Sequence, residues 1–450
     1  MEPTMSPTAY SQIGQIASMR RVHEAFQWLH LHEQQMMRWQ VELVSIPAPP
    51  FGEGPRAAWL VERFRELGLA DVHLDEAGNA LATLKGQRSN EYASTPLVLL
   101  SAHLDTVFAA STVIEPVLEG TRLAAPGACD NGAGVVALLG IAAALIRSGV
   151  EPDVDILFSG NVGEEGEGDL RGMRHIYADP RLRGRIAGHL VLDGAGHEVA
   201  VTGALGSRRF EVVIEGAGGH SWSDAGRPNP IVTLSEAIGT MNRLHLRAHA
   251  EDQDTRRMDA GVNGSALAIA TRPQRNASKS TWNVGMVEGG ASVNSIPELS
   301  RARFDLRSTD PEQLVRLEVQ LHRALEDAVL AANAAPESSG VHDYPLRLTI
   351  TSIGSRPAGT LRDGAHILDL LRAVDRHLNL RTECRTASTD ANIPLSLGVE
   401  AISIGAGGDG GGIHTRGEWY DARGRALGLR RVLLLLLALA APVERAMAAD

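Results

Sequence analysis

Cysteine is almost missing from this sequence. Its 450 residues include two, Cys129 and Cys384, which are too few and too far apart for a disulfide framework or a thiolate zinc site. Aromatic residues make up only 4%. No apolar run is long. The greasiest, Val432 to Val443, has twelve residues, short of the roughly 20 needed to span a bilayer, and reads as a buried C-terminal helix. The first 30 residues lack the cationic start and apolar stretch of a secretory signal. Positive charge is in deficit, 43 Lys and Arg against 54 Asp and Glu, for a net charge of −11. That argues against nucleic acid as a partner, because phosphate contacts need clustered cations. The expectation is a cytoplasmic protein with no membrane and no nucleic-acid partner.

What is present is ordinary in bulk: 44% hydrophobic and 22% charged residues exclude extensive disorder, and the length suits two or three domains. Met19 to Leu43 reads as one helix, stopped by Pro47, Pro49 and Pro50, and Gly54 to Leu67 as another, ended by Gly68. Apolar runs at Leu97–Leu100, Val154–Phe158, His189–Leu192 and Ala401–Ile404 read as buried strands, with apolar helices such as Gly134–Ile146 between them. This predicts an α/β domain with a largely buried sheet.

From about Gly206 the texture changes. Arg209–Glu215, Thr281–Glu288, Ser300–Arg307 and Leu346–Ile353 read as strands, and Asn229–Leu246 and Pro311–Ala335 as helices. The charged stretch Arg247–Arg257 reads as an exposed loop. A smaller α+β domain, 206–355, is therefore expected inside a larger one made of 1–205 and 356–450, with 1–40 as a helical extension.

Metal-competent residues gather at the expected strand ends. Ser-Ala-His-Leu-Asp supplies His103 and Asp105; an i, i+2 pair on extended chain points to one side, so Asp105 could bond the His103 ring nitrogen a metal does not need. Gly127-Ala-Cys-Asp-Asn-Gly-Ala-Gly134 supplies Asp130, which alone would read as a helix N-cap. Asn161-Val-Gly-Glu-Glu-Gly-Glu-Gly168 supplies Glu164 and Glu165; neighbours cannot point the same way, so one can bind metal while the other faces a water, and a solvated acidic loop is the plain alternative. Asp193 follows the third strand, and His414 closes a glycine-rich stretch after Ala401–Ile404. Such strand ends form the ligand crevice of open α/β sheets. Imidazoles with carboxylates and no thiolate suit Zn²⁺, with Mn²⁺ or Co²⁺ possible. Five ligands are too many for one ion but suit two ions sharing a carboxylate, roughly 3.5–4 Å apart.

These motifs resemble a known group: the co-catalytic di-zinc peptidase and deacylase family of tripeptidase T, acetylornithine deacetylase and succinyl-diaminopimelate desuccinylase. The likeness runs from about Gln40 to the end. It implies a zinc-peptidase-type catalytic domain with a mostly parallel central sheet flanked by helices, plus an inserted α+β lid and dimerisation domain. By position, it makes Asp130 the bridging ligand, gives His103 and Asp193 to one ion and Glu165 and His414 to the other. Glu164 falls where the family has its general base, and Asp105 where it orients the first histidine. Gly218-Gly-His-Ser-Trp222 resembles the lid motif whose histidine stabilises the oxyanion in the partner's site, a role that would fall to His220; a turn-capping histidine is the alternative. Gly289–Pro297 and Phe304–Arg307 match further family segments and nominate Asn294 and Arg307 for substrate contacts, and Ser388-Thr-Asp390 fits a loop near the site. The first 40 residues exceed what the shortest members need and could form a partner-binding or regulatory helix.

The implied activity is hydrolysis of an amide in small peptides, in the manner of a tripeptidase, dipeptidase or aminopeptidase, by a homodimer carrying two divalent ions. An N-acyl amino acid deacylase or carboxypeptidase is the alternative within the family. A catalytically inactive metal-binding partner protein is the alternative outside it, and the intact Glu164 speaks against that.

Overall fold

The structure is a computed structural model that describes residues 7–89, 95–245, 279–334 and 345–441. The chain divides into two compact units, one of residues 1–205 and 356–450, the other of 206–355.

The first unit is built on a nine-stranded sheet in the order Ala70–Leu74, Ala80–Leu84, Asp155–Asn161, Leu97–His103, Ile186–Leu192, Ala401–Ile404, Val199–Ala204, Gly359–Thr360, with Glu383–Ala387 also paired to Val199–Ala204. Its four central strands, from Asp155–Asn161 to Ala401–Ile404, run parallel, and antiparallel strands finish both sides. Leu97–His103 and Asp155–Asn161 are buried along their whole length, which is why they read as continuous apolar runs. Alternate residues serve opposite layers: Val98, Leu100 and Ala102 join the main core, while Leu97 and Leu99 join a second cluster with Met173 and Ile176 of the helix Arg171–Ala178.

The helix Gly132–Ser148 is buried on every side from Gly132 to Leu145, as its uniform apolarity demands. Gly68 and Gly149, both left-handed, end the helices Gly54–Leu67 and Gly132–Ser148. Val432–Leu437 lies buried within the helix Arg425–Leu439, and among the described residues no helix is long and apolar enough to cross a membrane.

The N-terminal helix expected from Met19 to Leu43 is divided. Two helices, Arg20–Leu31 and Glu33–Val44, occupy this stretch, and a third, Pro7–Ser18, precedes it. At the break after Leu31, the His32 N–H and ring Nδ1 both meet the Trp28 carbonyl, at 3.0 and 2.9 Å, and the two rings stack. No proline or glycine marks this break, so periodicity ran through it. The apolar side is not free for a partner, because Ile13, Val22, Leu29 and Met36 belong to the main core.

The second unit has a four-stranded sheet in the order Ser280–Gly289, Leu299–Ser308, Gly206–Glu215, Arg347–Arg356. Leu299–Ser308 is antiparallel to both of its neighbours. Phe210, Val212, Ile214, Phe304 and Leu306 face a core shared with Leu234 and Met241 of a helix over 230–245 and with Leu321 and Leu325 of the helix Pro311–Ala334. Residues 247–257 lie outside the described residues.

Candidate metal centre

The carboxyl ends of the parallel strands deliver their side chains to one place. His103 ends its strand. Its Nδ1–H donates to the main-chain carbonyl of Asp105 at 3.0 Å, so Nε2 carries the lone pair and faces inward. The carboxylate of Asp105 does something not foreseen. Its Oδ1 lies 3.7 Å from His103 Nδ1, while Oδ1 and Oδ2 accept the N–H groups of Glu164 and Glu165 at 3.0 and 2.7 Å. One buried carboxylate thus ties the His103 strand end to the acidic loop.

Asp130 is not the helix cap. Asn131 takes that position, its Oδ1 accepting from Gly134 N–H at 3.1 Å and from Gly194 N–H at 3.1 Å, and its Nδ2 donating to Leu192 O at 2.8 Å. A side chain at Gly134 would collide with Asn131 Oδ1 and the Leu192 carbonyl, so the last glycine of the motif is a packing requirement. Asn131 thereby fixes the Asp130 loop to the segment bearing Asp193.

Asp130 stands between two histidines. Its Oδ1 lies 3.1 Å from His103 Nε2, and its Oδ2 3.1 Å from His414 Nε2. His103 Nε2 is also 3.9 Å from Asp193 Oδ1, and His414 Nε2 is 3.0 Å from Glu165 Oε1. Three ligand clusters result, His103 with Asp130 and Asp193, Asp130 with Glu165 and His414, and His103 with Glu164 and Glu165, the ligand atoms of each within 4.8 Å of one another; the first two share Asp130. Glu164 and Glu165 diverge: Glu165 turns to His414, and Glu164 Oε1 accepts from Arg356 at 2.9 Å. Gly163, at φ 70°, makes the turn that leads into this pair. His414 itself adopts φ 63°, rare for a residue with a Cβ and typical of functional positions.

The site's electrostatics ask for cations. Burial and the charge of Asp130 push Asp193 up to about 7, and burial and Glu164 push Glu165 up to about 7. Burial also works against Asp130, but His103 and His414 hold its carboxyl well below the usual range. Asp130 Oδ1 is buried and accepts no hydrogen bond, although His103 Nε2 is close. An orphaned buried carboxylate oxygen facing two imidazoles and two further carboxylates fits a pair of divalent ions.

Arg356, which no motif singled out, is buried beside Glu164. Its Nη1 also donates to Ser388 Oγ at 3.0 Å and its Nη2 to the Glu164 carbonyl. Asp390, two residues on, is buried and accepts from Asn161 at 2.7 Å. A cavity of about 680 Å³ opens next to Asp193, with His197, Glu198, Ser388 and Asp409 in its wall.

The remaining candidates lie in the second unit. His220 Nδ1 accepts the N–H groups of Trp222 and Ser223 at 3.2 and 3.3 Å, so it caps a turn and carries its proton on Nε2. Asn294 is exposed; its carbonyl accepts from Ser221 N–H at 3.0 Å, next to His220. Arg307 already holds a carboxylate, that of Asp305, at 2.7 Å.

Two ligand clusters sharing one carboxylate at the carboxyl edge of a parallel sheet define a class, the two-metal hydrolases. The sequence matches the description Peptidase family M20/M25/M40 over residues 99–438, and the chain belongs to that family. A tripeptidase structure from Staphylococcus aureus superposes with a TM-score of 0.67 at 21% identity, covering 91% of this chain and 98% of that one. Aminopeptidase PepT from Bacillus cereus gives 0.66 at 18%, covering 91% and 99%. A probable carboxypeptidase of Aspergillus clavatus is 27% identical over 60% of this chain, and the match spans 57% of that protein's length.

Proposed function

We propose that this chain, a hydrolase of peptidase family M20/M25/M40, cleaves an amide bond of small peptides as a tripeptidase, dipeptidase or aminopeptidase. The observation that carries the reading is Asp130, whose two oxygens each face a different histidine at 3.1 Å. Asp130 would be shared by two divalent ions, most simply zinc, one completed by His103 and Asp193, the other by Glu165 and His414. When bound, two such ions supply a water of lowered pKa and an electrophile for the scissile carbonyl.

The protein's own groups do the rest. Glu164 takes the proton from the attacking water and returns it to the departing amine. Asp105 holds the Glu164–Glu165 turn and, through its carbonyl, sets the His103 tautomer. His220 of the partner subunit, in a homodimer formed through the second unit, offers Nε2–H to the developing oxyanion. Asn294 and Arg307 hold the substrate, Arg307 by exchanging Asp305 for a substrate carboxylate. The cavity beside Asp193 carries Glu198 and Asp409 and, among the described residues, no lysine or arginine in its wall, which favours a free amino group there over an acylated one. The excess of acidic residues and the unbridged Cys129 and Cys384 support a cytoplasmic setting.

A carboxypeptidase or deacylase reading keeps the same centre and has the fungal relative's name in its favour. Metal analysis, coupled on one preparation to an assay of tripeptides, dipeptides and N-acetyl amino acids, decides between them. Hydrolysis of N-acetyl amino acids alone would overturn the peptidase reading, and failure to bind metal would overturn both.

A further inference from the structure

Glu418 belongs to none of the ligand clusters, yet it is buried and its carboxylate accepts three main-chain N–H groups. Oε2 accepts from Gly127 at 2.9 Å, and Oε1 from Cys129 at 2.8 Å and Asp130 at 2.7 Å. These donors make up the loop that carries Asp130 into the centre. Such a loop leaves its N–H groups without ladder partners, and one carboxylate satisfies three of them.

Glu418 follows His414 by four residues, so one short segment reaches Asp130 from two sides. His414 Nε2 meets the Asp130 carboxylate at 3.1 Å, and Glu418 meets the Asp130 main chain. The segment is itself anchored. Glu418 N–H donates to Thr415 O at 3.2 Å, its carbonyl accepts from Ala125 at 3.0 Å, and Trp419 pairs with Ala124 in a four-stranded sheet. The Glu418 side chain is thus a fixed post, and the loop from Gly127 to Asp130 is what it holds.

We infer that Glu418 is a positioning residue that sets Asp130 against His103 and His414 together, and so governs the affinity of both metal sites at once. Because Asp130 is shared by two clusters, a shift of its main chain changes both, whereas loss of a terminal ligand such as Asp193 or Glu165 strikes one site first. The inference rests on the two-metal reading of the centre.

Glu418→Gln keeps the shape but turns an amide NH₂ toward main-chain donors whichever way it sits. The test uses the full chain, freed of metal and titrated with Co²⁺ against a chelator, with the visible cobalt spectrum recorded at each step. We expect the affinity of both sites to fall by about 10–100-fold, the usual effect of losing a partner that orients a ligand, with an altered cobalt spectrum. Wild-type affinity at both sites, or a loss confined to one, overturns the inference. If Glu418→Gln cannot be purified folded, Glu418→Asp, which keeps the charge and shortens the reach, is read by the same criteria. Absence of Co²⁺ binding by the wild-type chain would instead refute the two-metal reading itself.

Discussion

Arg356 grips Glu164 at both ends of the residue: Nη1 lies 2.9 Å from the side-chain Oε1, and Nη2 donates to the main-chain carbonyl. Both residues are buried. Burial pushes the Glu164 carboxyl up, and the Arg356 guanidinium works against that shift. A buried carboxylate at the edge of the ligand clusters is thus held in place by a guanidinium, which also favours its ionised form.

Replacement of Glu164 by glutamine should leave both ions bound and remove the proton carrier. The amide oxygen can still accept from Arg356, so folding is preserved. Turnover should fall by about 10²–10⁴-fold, the usual contribution of a positioned acid–base group, with two metals per chain by elemental analysis. Full activity would exclude Glu164 from proton transfer.

Arg356→Lys keeps the charge but cannot reach Oε1, the Glu164 carbonyl and Ser388 together. Each charge-assisted hydrogen bond lost is worth about 1.5–3 kcal/mol, so kcat should drop at least about tenfold while metal content stays at the wild-type level. Alanine is the less informative change, because an unpaired buried Glu164 costs about 3–5 kcal/mol of stability.

Why the sequence disclosed His103, Glu165, Asp193 and His414 but not Arg356 has a physical answer. Each of the first four follows an apolar strand or lies in a glycine-rich turn, a local pattern that marks the edge of a buried sheet. Arg356 sits 192 positions from its partner, and nothing in its neighbours distinguishes it from a surface cation. Glu418 gave a weaker local signal, four residues beyond His414. The strands Val199–Ala204 and Glu383–Ala387 escaped notice because they lie toward the sheet margin, and Glu383–Ala387 is exposed over most of its length, so no apolar run announces it. Asp105 was expected to meet the His103 ring through its carboxylate; the main-chain carbonyl does so instead, which residue type cannot reveal.

Binding of a free substrate amine in the cavity beside Asp193 should depend on Glu198 and Asp409. Both residues are exposed, and neutralising them, by Glu198→Gln and Asp409→Asn, should raise KM for unblocked peptides roughly three- to fivefold, since solvent-exposed charge pairs contribute up to about 1 kcal/mol. KM for N-acetylated substrates should stay constant. An equal effect on both substrate classes would refute amine recognition at this wall.

Metal removal should lower the melting temperature. Without ions, Asp130, Glu165 and Asp193 crowd one another, and a ligand at 100 times its Kd stabilises the state that binds it by about 2.7 kcal/mol. Calorimetry of metal-free and zinc-loaded protein checks this. Coincident melting at saturating zinc would mean that the folded centre has no preference for the ion.

The last expectation concerns acid. His189 is wholly buried, with Ser101 Oγ 2.8 Å from Nε2 and Tyr177 OH 3.1 Å from Nδ1, and burial lowers its pKa to about 3. The unfolded chain binds this proton near pH 6.5 and the folded one does not. Above about pH 6.5 both states leave the ring neutral, and its contribution to stability is fully present. Between about 6.5 and 3 the unfolded state alone takes up the proton, so stability falls by up to about 1.4 kcal/mol for each pH unit. A His189→Gln protein should be less stable at neutral pH but lack this part of the acid dependence. Its melting temperature should therefore converge on the wild-type value as pH is lowered from 7.5 to 4.5, and parallel curves would show that His189 is protonated in the folded core.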